Sequence, residues 1–140
     1  MRRVGLVVTL GLAASVWGCG GGSDNSSPFA GSYRGTFVAN AQQQLQNGYI
    51  RIVVAPDGHF TGTIDNATAG ASGTTSGSIA TDGQMTSSYQ YPGNLTYTAN
   101  GGVAKNNQGD IVGTLQEFQN GTNVGTVSVD LIFVPAFAPQ

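Results

Sequence analysis

The stretch Asp57-Gly58-His59-Phe60-Thr61-Gly62-Thr63-Ile64 joins a turn to the beginning of a β-strand. Its Asp-Gly pair supplies the positive φ angles that tight hairpin turns need. After that pair, apolar positions alternate with the threonines Thr61 and Thr63. A period of two is typical of an antiparallel strand with one face toward a core and the other toward water. The stretch therefore predicts part of a β-hairpin.

The pattern of glycine, then threonine or serine, then a large apolar residue recurs along the chain. It is found at Gly35-Thr36-Phe37, Gly62-Thr63-Ile64, Gly77-Ser78-Ile79, Gly113-Thr114-Leu115 and Gly125-Thr126-Val127. The uneven spacing excludes a solenoid of fixed period. Alternation of apolar and polar residues surrounds each copy, and it places the glycines on the inward face. We expect them to permit strong bending and close approach of the opposite wall.

Turn sequences divide the chain into about eight predicted strands. The turns are Pro56-Asp57-Gly58, Asp82-Gly83, Pro92-Gly93-Asn94, Asn100-Gly101-Gly102, Asn107-Gln108-Gly109 and Asn120-Gly121. The predicted strands are 32–38, 49–55, 59–65, 74–80, 84–91, 95–99, 110–118 and 123–134, with longer loops at 39–48 and 65–73. Short connections favour an all-β antiparallel meander. Such a meander closes most simply into a small up-and-down barrel, which removes exposed edges. A two-sheet β-sandwich is the alternative.

Two segments of the predicted barrel resemble a known group of proteins. Gly31-Ser32-Tyr33-Arg34-Gly35-Thr36-Phe37 and the stretch 57–64 are similar to the first strand and the following hairpin of avidins and lipocalins, the calycin-like barrels. Trp17 is the only tryptophan, so the tryptophans that line the biotin site of avidins have no counterpart in the domain. The resemblance implies the architecture and no particular ligand.

The N-terminal segment has the features of an export signal. Arg2 and Arg3 precede the uncharged stretch 4–16, which is shorter than the roughly 20 apolar residues that span a bilayer. A charged start, a short apolar run and a small residue before the cleavage point describe a secretory signal peptide. Gly18 is that small residue, and Cys19, the only cysteine, follows it.

Val16-Trp17-Gly18-Cys19 resembles the lipobox of bacterial lipoproteins. The resemblance implies cleavage before Cys19, a diacylglycerol on its sulfur and fatty acylation of the new N-terminus. In Gram-negative lipoproteins an aspartate after the cysteine favours the inner membrane, so Gly20 at that position favours the outer membrane. The alternative is an ordinary signal peptide with an incidental cysteine.

These features predict three segments: a signal peptide at 1–18, an acylated cysteine with a flexible Gly/Ser linker at 19–27, and a barrel domain at 28–137. Removal of residues 1–18 leaves three cations, Arg34, Arg51 and Lys105, against seven carboxylates. Three scattered cations form no basic patch, so nucleic acid is not an expected partner. We expect the lipid, rather than protein charge, to hold the domain on the membrane.

Three tyrosines are the strongest candidates for a binding site. A loop at Pro92-Gly93-Asn94 would set Tyr91 opposite Leu95 and Tyr89 opposite Tyr97. Tyrosines near a barrel mouth can stack on sugars or apolar ligands while their hydroxyl groups fix the orientation. The alternative is that they fill the core of the domain.

Other polar residues give weaker signals. His59 beside Asp57 in a predicted turn has neither the packing nor the nucleophile that a hydrolytic triad needs. Alternation places Glu117 on the face of Leu115 and Asp130 on the opposite face, which disfavours a glycosidase pair. Asn and Asp residues such as Asp65-Asn66 and Asn106-Asn107 with Asp110 could supply calcium ligands, but turn formation explains them. No catalytic residue, metal or cofactor is predicted.

The sequence thus favours a lipid-anchored, non-enzymatic protein of the cell envelope whose β-barrel serves as a binding or structural module. The alternatives are a carrier of a small apolar or sugar ligand, with Tyr89, Tyr91 and Tyr97 near the pocket, and a periplasmic hydrolase inhibitor. The inhibitor would need a projecting loop at 39–48 or 65–73.

Overall fold

A computed structural model of the protein describes residues 25–135. This part of the chain is all-β, and its eight antiparallel strands close into a barrel. The strands are β1 (Gly31–Ala41), β2 (Gln44–Val54), β3 (His59–Asn66), β4 (Ala71–Ile79), β5 (Gln84–Tyr91), β6 (Leu95–Lys105), β7 (Ile111–Gln119) and β8 (Thr122–Val134). Residues 25–135 contain no helix long and apolar enough to cross a membrane.

The sheet is an unbroken meander. Each strand pairs with the next, and β1 also pairs with β8, with Gly35 opposite Ile50 on one side and Leu131 on the other. Closure leaves no strand with an unpaired edge, the usual site of edge-to-edge aggregation. The predicted up-and-down barrel is confirmed, and the alternative of a two-sheet sandwich is wrong.

Both long loops predicted from the sequence are wrong. Residues 39–48 continue β1 and β2 up to a two-residue turn, Gln42-Gln43, whose φ angles are +52° and +64°. Residues 65–73 are mostly strand, and only residues 67–70 form the turn between β3 and β4. The turn at Gln42-Gln43 forms without the Asn-Gly or Asp-Gly signature, because the paired strands on either side impose its backbone conformation.

The predicted turn at Asn100-Gly101-Gly102 is also wrong. These residues lie inside β6, where Gly101 stands opposite Met85 of β5 and Leu115 of β7. A Cβ atom at Gly101 would lie 2.9 Å from the carbonyl oxygen of Thr114. Glycine here allows neighbouring strands to come close, and the chain continues straight through it.

The repeated strand glycines do face inward, as predicted, but the close approach is to the neighbouring strand. A Cβ at Gly35 would lie 1.8 Å from the carbonyl oxygen of Asp130, and one at Gly62 would lie 1.9 Å from that of Arg51. The atoms nearest to these positions thus belong to adjacent strands. The glycines allow tight bending of adjacent strands, which closure of so small a barrel requires.

One end of the barrel is closed by the segment before β1. Phe29 is buried, and its carbonyl oxygen accepts a hydrogen bond of 2.8 Å from the hydroxyl group of Tyr33. The amide of Ser27 donates to the carbonyl oxygen of Pro56, in the turn between β2 and β3. Lys105 Nζ donates to the carbonyl oxygen of Pro28 at 2.9 Å. These contacts fix residues 27–30 across this end, which we call the closed end.

Candidate functional site

The other half of the barrel encloses a cavity of about 460 Å³. Its mouth is at the open end, where the β3–β4 and β5–β6 turns lie, and is bordered by Ala69, Gly70, Ala71, Pro92 and Leu95. Deeper walls are formed mainly by apolar side chains, among them Phe37, Ile50, Phe60, Ile64, Met85, Leu115, Val127 and Leu131. The volume falls within the range of roughly 300–1,000 Å³ that is usual for small-molecule pockets.

The cavity exists because the inward-facing residues differ in size along the barrel. Toward the closed end they are large and fully buried, as at Tyr33, Ile79 and Ile111, and none of these lines the cavity. Toward the open end, alanines such as Ala39 and Ala71 face inward instead. Small side chains on a closed wall leave space that the opposite wall cannot collapse to fill.

The three predicted tyrosines lie together in the cavity wall. Tyr89 stands opposite Tyr97, and Tyr91 opposite Leu95, as the three-residue loop predicts. The rings of Tyr89 and Tyr97 are stacked with their centroids 5.5 Å apart. The ring of Tyr91 meets both edge-on, with its centroid 6.1 Å from that of Tyr89 and 6.3 Å from that of Tyr97. They form a compact aromatic cluster, which we call the tyrosine cluster.

Glu117 is the charged residue of the cavity wall. It projects inward from β7, is only 4 % exposed, and lies between Ala99 and Gly125 on the adjacent strands. One carboxylate oxygen, Oε2, accepts a hydrogen bond from the hydroxyl group of Tyr89. The small neighbours on either side leave room in front of the carboxylate.

No cation within residues 25–135 accompanies this carboxylate. Arg34 and Arg51 are exposed on the outside of the barrel, where they stand opposite each other on β1 and β2. Lys105 is exposed at the closed end, and His59 is exposed at the start of β3. Glu117 is therefore a buried acid whose neutralising charge is not supplied by the described part of the chain.

Burial changes the acidity of the cavity groups. It raises the pKa of Glu117, although the hydrogen bond from Tyr89 partly opposes that effect. Burial also raises the pKa of the Tyr89 hydroxyl far above its usual range, and the hydrogen bond and charge of Glu117 add to the shift. Burial raises the pKa of Tyr91 to about 12, against the opposing effect of a hydrogen bond with Asn66. Both tyrosines therefore stay neutral near neutral pH.

Several other polar groups of the cavity are hydrogen-bonded within the protein. Asn66 Nδ2 donates to Gln46 Oε1 at 2.6 Å, and Asn66 Oδ1 accepts from the amide of Ala69 at 2.9 Å. The hydroxyl groups of Thr75 and Ser87 lie 3.1 Å apart. Every enclosed side-chain nitrogen or oxygen within residues 25–135 has a partner. Since Tyr89 reaches only Oε2 of Glu117, the other oxygen, Oε1, must border the cavity space.

No protein-family model, curated protein or solved structure matches this chain.

The structure separates the other residues considered from the sequence. Glu117 faces the cavity and Asp130 faces solvent, so this pair of acids does not meet. His59 is exposed, and its amide donates to Asp57 Oδ1 at 3.0 Å within the turn. Residues 25–135 hold no group of three or more His, Cys, Asp or Glu side chains placed to bind a metal ion.

The two proposed calcium sites have structural roles. Asn106 Oδ1 accepts from the amides of Gln108 and Asp110, and Asp110 Oδ1 accepts from the amide of Phe133. Asn66 completes the turn between β3 and β4 through the bond to Ala69 described above. Cys19 and the rest of 1–24 lie outside the described residues, so lipidation stays a prediction.

Sequence reasoning missed Glu117, Asn66 and Thr75 as parts of the site. A signal for Glu117 was present, because alternation assigned a carboxylate to the apolar face of β7. Its only interpretation there was as a partner for Asp130. Asn66 lies one residue beyond the predicted strand 59–65, so alternation does not reach it. Thr75 lies within the predicted strand 74–80, and alternation with Gly77 and Ile79 places it on the inward face, but an inward threonine alone does not indicate a binding site.

Proposed function

We propose that this protein binds a small, mainly apolar molecule in the open half of its barrel, as a lipid-anchored carrier in the cell envelope. The observation that supports this proposal is the 460 Å³ cavity, which has an apolar wall and opens next to the tyrosine cluster. A module that is only structural has no need of such a space, because filling it with larger side chains would add stability. The protein supplies burial for the body of the ligand and hydrogen bonds for its polar end.

The hydrolase inhibitor is the less favoured alternative. It would depend on a projecting loop, and the two candidate segments are paired strand with short turns instead. The proposal includes no catalytic step.

Binding can be measured with N-phenyl-1-naphthylamine, an uncharged probe that fluoresces in apolar surroundings. The full-length wild-type protein is expected to enhance its emission in a saturable titration. Ala71→Trp places an indole in the mouth and should abolish most of the saturable signal. Ala104→Trp places the same indole on the outside of β6, where Ala104 is exposed, and should leave the signal unchanged.

Both variants keep the apolar N-terminal segment, so any probe bound there contributes equally to the two titrations. Equal signals from the two variants, or no saturable binding to the wild type, would show that the cavity does not take up ligand.

A further inference from the structure

Glu117 raises a question that the binding of an apolar molecule does not answer. An uncompensated carboxylate in an apolar wall is unfavourable, and a glutamine of the same shape would accept the hydrogen bond from Tyr89 equally well. The described cations are all exposed and outside the cavity. Oxygen Oε1 borders the cavity and has no donor from residues 25–135. A ligand that brings a positive charge and an N–H group would satisfy both requirements.

The tyrosine cluster is a second and independent observation. Its three rings lie within 5.5–6.3 Å of one another at the same side of the cavity as Glu117. The faces of aromatic rings attract cations, most strongly where water is excluded. Tyr89 belongs to the cluster and also donates to Glu117, so the rings and the carboxylate act on the same region.

We propose that the ligand of this cavity is a primary organic ammonium ion with an apolar body, held by Glu117 and the tyrosine cluster. The inference rests on the proposed function and specifies its ligand class. The ammonium group donates to Oε1 of Glu117 and lies against the rings of Tyr91 and Tyr97. The apolar body extends toward Phe60 and Met85, deeper in the cavity wall.

Other ligand classes fit less well. An anionic ligand would bring a second negative charge beside Glu117 and would meet no cation from the described chain. An uncharged alcohol could donate to Oε1, but it would leave the carboxylate without an opposite charge. The ammonium ion alone provides a donor, a compensating charge and attraction to the rings.

The test compares 1-naphthylmethylamine, which is protonated at neutral pH, with 1-naphthalenemethanol, which has nearly the same shape and no charge. Binding of each to the full-length protein is measured by equilibrium dialysis at low ionic strength. The wild type is expected to bind the amine about tenfold or more tightly than the alcohol, since the ammonium ion adds attraction between opposite charges to the hydrogen bond that either compound can donate to Oε1. Glu117→Gln is expected to remove that preference while it keeps the affinity for the alcohol.

Asp130→Asn is the matched control, because it removes one carboxylate from the exposed face of the neighbouring strand and changes the net charge equally. It should leave the preference for the amine intact. Loss of the preference in both variants would indicate a general charge effect and would overturn the assignment of Glu117. Equal affinity of the wild type for amine and alcohol would overturn the ligand class. Failure of both compounds and of N-phenyl-1-naphthylamine to bind would instead contradict the proposed function.

The role of the rings has its own test at Tyr97, which is only partly buried. Tyr97→Phe keeps an aromatic face and should change the affinity for the amine by less than about twofold. Tyr97→Leu removes the face and should weaken binding of the amine several-fold more than binding of the alcohol. Equal effects of Phe and Leu would show that the ring does not contribute through its face.

Discussion

At the scale of the residue, Glu117 is expected to make the stability of the protein depend on pH. Its folded-state pKa lies above the ordinary value of 4.5 because burial disfavours the charged form. Its contribution to the free energy of unfolding is therefore complete below the unfolded pKa and is lost as pH rises through the folded pKa. The glutamine in Glu117→Gln does not titrate, so the stability of this variant relative to the wild type should increase as the pH rises above 4.5.

Chemical denaturation of both proteins, followed by circular dichroism at several pH values, measures this difference. The groups nearest to Glu117 are the neutral hydroxyl of Tyr89 and the uncharged neighbours Ala99 and Gly125. A difference between Glu117→Gln and wild type that does not change with pH would contradict the raised pKa.

The sequence predicts the register and orientation of individual residues, but it does not predict the cavity that they form. The Pro-Gly-Asn loop fixes the register of β5 and β6, so the pairing of Tyr89 with Tyr97 follows from turn length alone. The inward position of Glu117 follows from alternation. The cavity does not follow, because its volume depends on how the small residues Ala39 and Ala71 meet across a closed barrel. The distance between these two walls depends on how the whole sheet closes into a barrel.

At the scale of the element, the strand glycines control how closely β-strands pack. Gly62→Ala would place a methyl group 1.9 Å from the carbonyl oxygen of Arg51, so we expect it to lower the free energy of unfolding by roughly 1–3 kcal/mol. Gly102→Ala is the control, because a Cβ there meets nothing within 4 Å, and its effect should stay within about 0.5 kcal/mol. Urea denaturation of both variants measures the difference. Similar stabilities would show that the close approach at Gly62 is not required.

The boundaries of the elements show where local sequence ceases to be informative. The Asp82-Gly83 turn is found as predicted, with Gly83 at a φ of +90°. Gln42-Gln43 forms an equally tight turn without the favoured residues, whereas Asn100-Gly101-Gly102 has them and remains strand. In both exceptions, hydrogen bonding to the neighbouring strands along the full ladder outweighs the local preference for a turn. Turn residues predict a hairpin well only when the register of the whole sheet agrees.

At the scale of the whole molecule, the start of the described chain and the cavity mouth lie at opposite ends of the barrel. The described chain begins at the closed end, where residues 27–30 are held, and the mouth lies at the other end. We therefore expect a lipid on Cys19 to tether the barrel through the segment that enters its closed end.

Attachment is tested by replacing the predicted lipid acceptor. Cys19→Ser removes the sulfur that would carry the diacylglycerol. Since stable anchoring needs more than one acyl chain, the variant should move from the membrane fraction to the soluble fraction. Mass spectrometry of the native protein should find the wild-type N-terminus at Cys19 with the added mass of its lipids. An unmodified cysteine, or an unchanged distribution of Cys19→Ser, would contradict lipid anchoring without affecting the binding proposal.

The most direct test of the account is a crystal structure of the full-length protein with 1-naphthylmethylamine. We predict that the naphthyl ring occupies the cavity and that the nitrogen lies within about 3 Å of Glu117 Oε1, against the rings of Tyr91 and Tyr97. A cavity closed by side chains, or a ligand bound only to the outer surface of the barrel, would contradict it.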